Sequence, residues 1–197
     1  MMTVDLKTAS RAKRLGEATH ETHEALDRRI MAAASFADIA GYGRFVEAQY
    51  LFHRDIDALY DDAALGDLLP GLAARRRLPL IAADLEDLEL APPYADPPAF
   101  LPDLAPDVPM ALGWLYVAEG SNLGAAILRK EAAKLGLSDT YGARHLAPTP
   151  EGPAAHWRAF TAGLDAVEMT ADEEARAAAG AEAAFARVRH HVEARLG

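Results

Sequence analysis

The sequence predicts an all-α fold, a single-domain bundle of several helices over residues 1–197, and three observations carry that expectation. Apolar residues recur at three- and four-residue spacing almost throughout, β-branched runs bounded by hairpin turns are absent, and alanine, the strongest helix former, is abundant. The first helix is expected from about Thr8 to Ala33, with Leu15, Thr19, Thr22, Leu26 and Ile30 on its buried stripe. A second, from about Asp38 to Tyr60, buries Phe45, Ala48, Phe52, Ile56 and Leu59. A third, shorter one lies between Gly71 and Leu90 and is interrupted or kinked at Pro79.

Seven of the twelve prolines fall between Pro92 and Pro109, so Ala91 to Val108 reads as an extended connection, anchored by Tyr94, Phe100 and Leu104. A long helix then begins near Pro109, where proline suits the first turn, and stops at Gly136. The last helix opens with a capping box from Thr170 to Glu173 and presents Ala181, Phe185, Val188 and Val192 on one face.

Composition narrows the function. The chain has 197 residues, enough for one well-buried core, and its net charge of −10 excludes a nucleic-acid binder that works by neutralising phosphates. Without cysteine it has no disulfide, thiolate metal site or cysteine nucleophile, which suits a reducing cytoplasm. The N-terminal residues are polar and basic rather than a signal peptide, and no apolar run is long enough to span a bilayer, so a soluble cytoplasmic protein is expected.

The helix after the proline-rich segment carries Gly120 and Gly124 one turn apart, each costing about 1 kcal/mol against alanine. With Ser121 and Ala125 beside them they form a trough of nearly bare backbone, suited either to a flat ligand or to a closely crossing helix. On the first helix the wheel places His20 toward water and His23 at the edge of the apolar stripe. Asp27 follows His23 at the spacing that lets a carboxylate meet one imidazole nitrogen, leaving the other a better metal ligand; the same pairing also occurs on ordinary helix surfaces. Basic clusters at Arg11, Lys13 and Arg14, at Arg75 to Arg77, and at Arg129 and Lys130 are candidates for holding an anion or for plain solvated surface.

Three segments, in this order, resemble bacterial heme oxygenases over nearly the whole chain: Phe45-Val-Glu-Ala-Gln-Tyr-Leu-Phe-His53, Leu112-Gly-Trp-Leu-Tyr-Val-Ala-Glu-Gly-Ser-Asn-Leu-Gly-Ala-Ala126, and Tyr141-Gly-Ala-Arg-His-Leu146. The resemblance implies a heme-oxygenase-like fold in which heme b is sandwiched between a proximal and a distal helix. It makes His23 the ligand of the iron (Fe) and Asp27 its supporting carboxylate. It places Gly120 and Gly124, with Ser121, over the heme face, and Lys13 or Arg14 at the propionates. Gln49, His53, Tyr116, Arg144 and His145, with one of Arg75 to Arg77, match a distal polar network that holds water near bound oxygen. Two positions depart from the pattern: Ala118 replaces a small hydroxyl residue, and Glu131 stands where some relatives carry a lysine for a propionate.

The implied reaction uses heme as substrate and cofactor, with O2, and yields biliverdin, carbon monoxide and ferrous iron. A histidine ligand suits it better than a thiolate, which favours breaking the O–O bond early. Bare glycine over the iron keeps a strong acid away from the oxygen and lets sterics choose the carbon attacked. No glycine-rich nucleotide fingerprint is present, so electrons come from an external donor, a ferredoxin or an NAD(P)H-dependent reductase. Two rivals stand beside this reading. One is a heme carrier that binds through His23 and releases intact heme. The other is a non-heme di-iron oxidase, for which Glu17-Ala-Thr-His20 supplies one Glu-x-x-His element but no second copy follows.

Overall fold

The computed structural model describes residues 9–32, 36–94 and 96–197. Seven helices account for most of them: α1 (Arg11–Ala32), α2 (Ile39–Ile56), α3 (Ala63–Leu68), α4 (Leu78–Asp87), α5 (Val108–Lys134), α6 (Pro153–Ala166) and α7 (Ala171–Leu196). Tight helical turns at Asp57–Asp61, Leu72–Arg75 and Arg144–Leu146 connect them, and no β-strand forms among the described residues. Thr8 and Ala33, the expected ends of the first helix, lie outside those residues.

The periodic segments behave as their patterns require. Leu15, Thr19 and Leu26 of α1 are buried, as are Phe45, Ala48, Phe52 and Ile56 of α2 and Leu59 in the turn that follows. Asp38 caps α2 by accepting from the Gly41 amide, and the Thr170–Glu173 capping box opens α7 as expected. Pro79 does not kink a helix; it sits in the first turn of α4, where its missing N–H costs nothing. Two helices, α3 and α6, fall in stretches for which periodicity predicts no helix. α3 has only six residues, although Asp62 caps it by accepting from the Leu65 amide, and α6 starts at Pro153 behind Gly152 with no side-chain cap.

α1 and α7 run parallel and in step. Arg11 meets Glu174, the His23 ring lies 5.6 Å from Phe185, and Arg29 reaches toward Glu193. The Arg11 guanidinium is buried and also donates to the carbonyls of Leu164 and Val167, which ties α1 to the end of α6. The most extensive helix pair is α5 on α7, and it is made possible by two glycines. A Cβ on Gly113 would stand 2.1 Å from the Ala177 carbonyl oxygen, and one on Gly180 would stand 2.2 Å from the Met110 carbonyl oxygen. The backbones therefore touch where the helices cross.

The proline-rich segment is extended, but its anchors differ from those expected. Tyr94 is 92% exposed and Leu104 65%, so neither holds the segment down. Only Phe100 does, packing edge-on against Trp114 at 5.4 Å. Polar contacts supply the rest: buried Asp55 accepts from the Ala99 amide at 3.0 Å, from Arg187 Nε at 2.7 Å and from His191 Nε2 at 2.7 Å. Burial raises the Asp55 pKa, but the His191 and Arg187 hydrogen bonds outweigh it and hold the carboxyl below its usual range.

Candidate heme site

α5 presents different chemistry on opposite sides. Leu112, Leu115 and Ala118 are buried, whereas Ser121 and Gly124 are exposed and Gly120 is half-buried. Among the described residues, a Cβ placed on Gly124 would meet nothing within 4 Å, and one on Gly120 only the Trp157 ring at 3.6 Å. The crossing-helix reading of this trough is therefore wrong: the close crossing lies two turns earlier, at Gly113. Leu123 and Ile127 extend the same face at i+3 and i+7 from Gly120 and are 45% and 65% exposed. Ser121 does not make the face polar, because its hydroxyl donates back to the Ala118 carbonyl at 2.7 Å.

The α1 side offers the matching parts. Gly16 lies so close to α5 that a Cβ there would sit 3.0 Å from the Tyr116 hydroxyl. His23, two turns along the same stripe, is 56% exposed, with Nε2 3.5 Å from Asp27 Oδ2. His20, 66% exposed, lies 3.3 Å from Glu24. Lys13 is exposed near Glu17, whereas Arg14 pairs with Glu174 at 2.7 Å and donates to the Ala9 carbonyl. Glu131, at the far end of the open face, is engaged by Lys134 at 2.7 Å.

The expected polar network divides. His53 and His145 are both buried and lie near each other, each with one ring nitrogen, His53 Nδ1 and His145 Nε2, lacking a hydrogen-bond partner among the described residues. Burial, then the nearby His145 and Arg77, lowers the His53 pKa to about 3, so this ring stays neutral. Of the three consecutive arginines, it is Arg77 that joins them, buried and donating to the His145 carbonyl. Arg144 is held instead by Asp84 at 3.2 Å and by Asp87, both on α4. Asp84 also accepts from His145 Nδ1 at 2.7 Å and from the amides of Arg144 and His145. The Gly142–Leu146 motif is thus the anchor of its loop on α4, with Gly142 at φ 73°, which suits glycine, and its amide on Asp87. Gln49 is half-buried on α2; Tyr116 is half-buried against Trp157 at 5.5 Å, and burial raises its phenol pKa.

Sequence reasoning missed several residues here. Glu119, 2% exposed, accepts from Arg75 at 2.8 Å, and its Oε2 lies 3.3 Å from His156 Nε2. The available signal was a carboxylate in register with Leu112 and Leu115 on the buried stripe. Trp157, Leu123 and Ile127 were missed because their placement depends on α6 and on what α5 leaves uncovered. A cleft lined by Arg77, Asn122, Ala125, Arg129, Leu146 and His156 lies on the side of α5 turned away from Gly120 and Gly124, so the open glycine face is a separate surface.

The family model for heme oxygenase matches residues 9–194. The chain belongs to the heme oxygenase family. It is 45% identical over 177 residues to heme oxygenase PigA of Pseudomonas aeruginosa, covering 90% of this chain and 88% of that one. It is 34% identical over 116 residues to a heme oxygenase of Xanthomonas campestris pv. campestris, covering 59% of this chain and 67% of the relative. The fold superposes with TM-score 0.89 on the NO- and CO-bound heme oxygenase of Neisseria meningitidis, at 40% identity over 96% of this chain and 94% of that one. The heme oxygenase of Leptospira interrogans shares the fold at TM-score 0.69 and 19% identity, covering 93% and 98% of the two chains. The activity is that of a heme oxygenase, an oxidoreductase that produces biliverdin. Among the described residues no helix is long and apolar enough to cross a membrane.

Proposed function

We propose that this chain, acting as one domain in the cytoplasm, binds heme b against the open face of α5 and presents it to dioxygen with His23 as iron ligand. The observation that carries the assignment is the surface itself: Gly124 has free space above it, and the large apolar side chains Leu123 and Ile127 beside it are left exposed. An exposed apolar patch at helical spacing around bare backbone suits a flat apolar ligand, and the exposed imidazole of His23 suits iron. Asp27 Oδ2, 3.5 Å from His23 Nε2, is in reach to take one nitrogen of that ring once the other meets the metal. Lys13, exposed on the first turn of α1, is better placed for a propionate than Arg14, whose guanidinium is committed to Glu174.

Bound heme supplies the iron at which dioxygen is reduced and the ring that is cut, giving biliverdin, carbon monoxide and ferrous iron. The protein contributes exclusion and proton supply. Gly120 and Gly124 bring no acid or bulk to the face, so the geometry of approach is set by backbone. Protons arrive by way of ordered water held by Gln49, Tyr116 and the buried cluster. His53 Nδ1 and His145 Nε2 are buried atoms of the kind that water ordinarily satisfies, and Arg77 lies beside them. Arg144 serves by holding the His145 loop to Asp84 and Asp87 rather than by touching that water. Electrons come from an external ferredoxin or an NAD(P)H-dependent reductase.

The test mixes the protein with hemin, records the Soret band, and adds ascorbate or a reductase under air. A green biliverdin spectrum is expected; an unchanged heme spectrum would favour a heme carrier. His23→Ala is expected to abolish the histidine-ligated spectrum and turnover, and retention of both would overturn the ligand assignment.

A further inference from the structure

The buried stripe of α5 is apolar until Glu119, and that carboxylate directly precedes Gly120. Its partners come from three different elements. Tyr60, in the turn after α2, donates to Oε1 at 3.5 Å; Arg75, in the turn before α4, donates to Oε2 at 2.8 Å; His156, in the first turn of α6, approaches Oε2 at 3.3 Å. Arg75 is held in turn by the His156 carbonyl at 3.1 Å and lies over the Phe160 ring at 5.7 Å. His156 Nδ1 meets Glu151 at 3.1 Å, and the next residue, Trp157, supplies the ring on which Gly120 rests.

Stability alone does not account for this arrangement. A buried ion pair roughly breaks even against well-packed apolar residues of the same volume, because desolvation offsets the attraction. Directional contacts give something that leucine at the same position does not: they fix the rotation and height of the helix. The need is local. Two glycines within one turn stiffen a helix less than any other pair, and the backbone they expose must hold its place against the substrate.

We propose that Glu119 is a positioning residue, which through Arg75, His156 and Tyr60 sets where the Gly120–Gly124 backbone lies over the heme and hence which ring carbon is attacked. The inference rests on the heme assignment above. Glu119 touches neither heme nor oxygen; it acts through the backbone that follows it.

The experiment compares wild type, Glu119→Gln and the charge-balanced pair Glu119→Gln with Arg75→Gln, each checked for helix content by circular dichroism and each loaded with hemin. Glu119→Gln is expected to bind hemin within about twofold of wild type, to turn over roughly tenfold more slowly, and to give a changed ratio of biliverdin isomers by chromatography. The electronic spectrum of its heme complex should also change with pH differently from that of wild type. The pair should shift the isomer ratio in the same direction, since it removes the same fastening without stranding a buried charge. The proposal is overturned if Glu119→Gln melts earlier yet keeps the isomer ratio and the pH profile, since that is the signature of a merely structural role. A wild-type protein that makes no biliverdin would instead sink the assignment beneath it.

Discussion

Gly113 and Gly124 occupy the same helix, yet they meet opposite surroundings. At Gly113 the backbone of α7 lies so near that a methyl group would collide with the Ala177 carbonyl oxygen at 2.1 Å; at Gly124 the same methyl would meet nothing within 4 Å. One glycine is there because another helix touches it, the other although no described part of the protein does. Since each costs the isolated helix about 1 kcal/mol, the first is explained by packing, and for the second we propose a ligand. Small-residue spacing alone does not separate the two causes.

Substitution should separate them sharply. Gly113→Ala or Gly180→Ala forces a Cβ into backbone that has no flexible end to move, and a loss of about 3 kcal/mol or more is expected in urea unfolding. A loss below 1 kcal/mol would show that the crossing relaxes. Next in size is Gly124→Leu, which should not destabilise the heme-free protein and should cut biliverdin formation roughly a hundredfold. Normal turnover in that variant would mean that the open face is not the heme face.

The buried side of the site adds a pH term that the open face does not require. His53 is held neutral with its pKa at about 3, while the unfolded chain takes up a proton near 6.5. Between those values the unfolded state binds more protons, so stability is full above pH 6.5 and falls with acidification by up to about 1.4 kcal/mol per unit. Asp55 and Asp84, whose carboxyls are held below their usual range, add a further loss only at more acid pH, as they become protonated. Unfolding measured from pH 7.5 to 5 should show the first slope, and His53→Asn should flatten it. The smallest expected effect is Gly124→Ala, a gain of up to about 1 kcal/mol without heme, opposite in sign to Gly113→Ala.

The catalytic candidates were legible to different degrees, for a physical reason in each case. His23 and Asp27 are related by helical spacing alone, so sequence suffices to pair them. Arg144 and His145 lie side by side in one motif, yet their partners on α4 are about sixty residues away in sequence: His145 and Asp84 are 61 residues apart. Only the fold shows that Arg144 fastens a loop while His145 is buried against Asp84. Arg75, Arg76 and Arg77 were equivalent as a basic run. The structure gives the first to Glu119, the second to Asp57 and Asp61 at the surface, and the third to the His145 carbonyl.

By itself the sequence determined the helical class, the buried stripes of α1, α2 and α7, the capping box at Thr170, and the family motifs, because each depends on neighbours within a few residues. Tertiary structure decided the rest: α6, which starts without a cap signal, and the proline-rich segment held by Asp55 rather than by Tyr94 or Leu104. It also decided which glycines lie against another helix and which lie open. Those outcomes depend on atoms far apart along the chain, and no local period records where a distant backbone will come to rest.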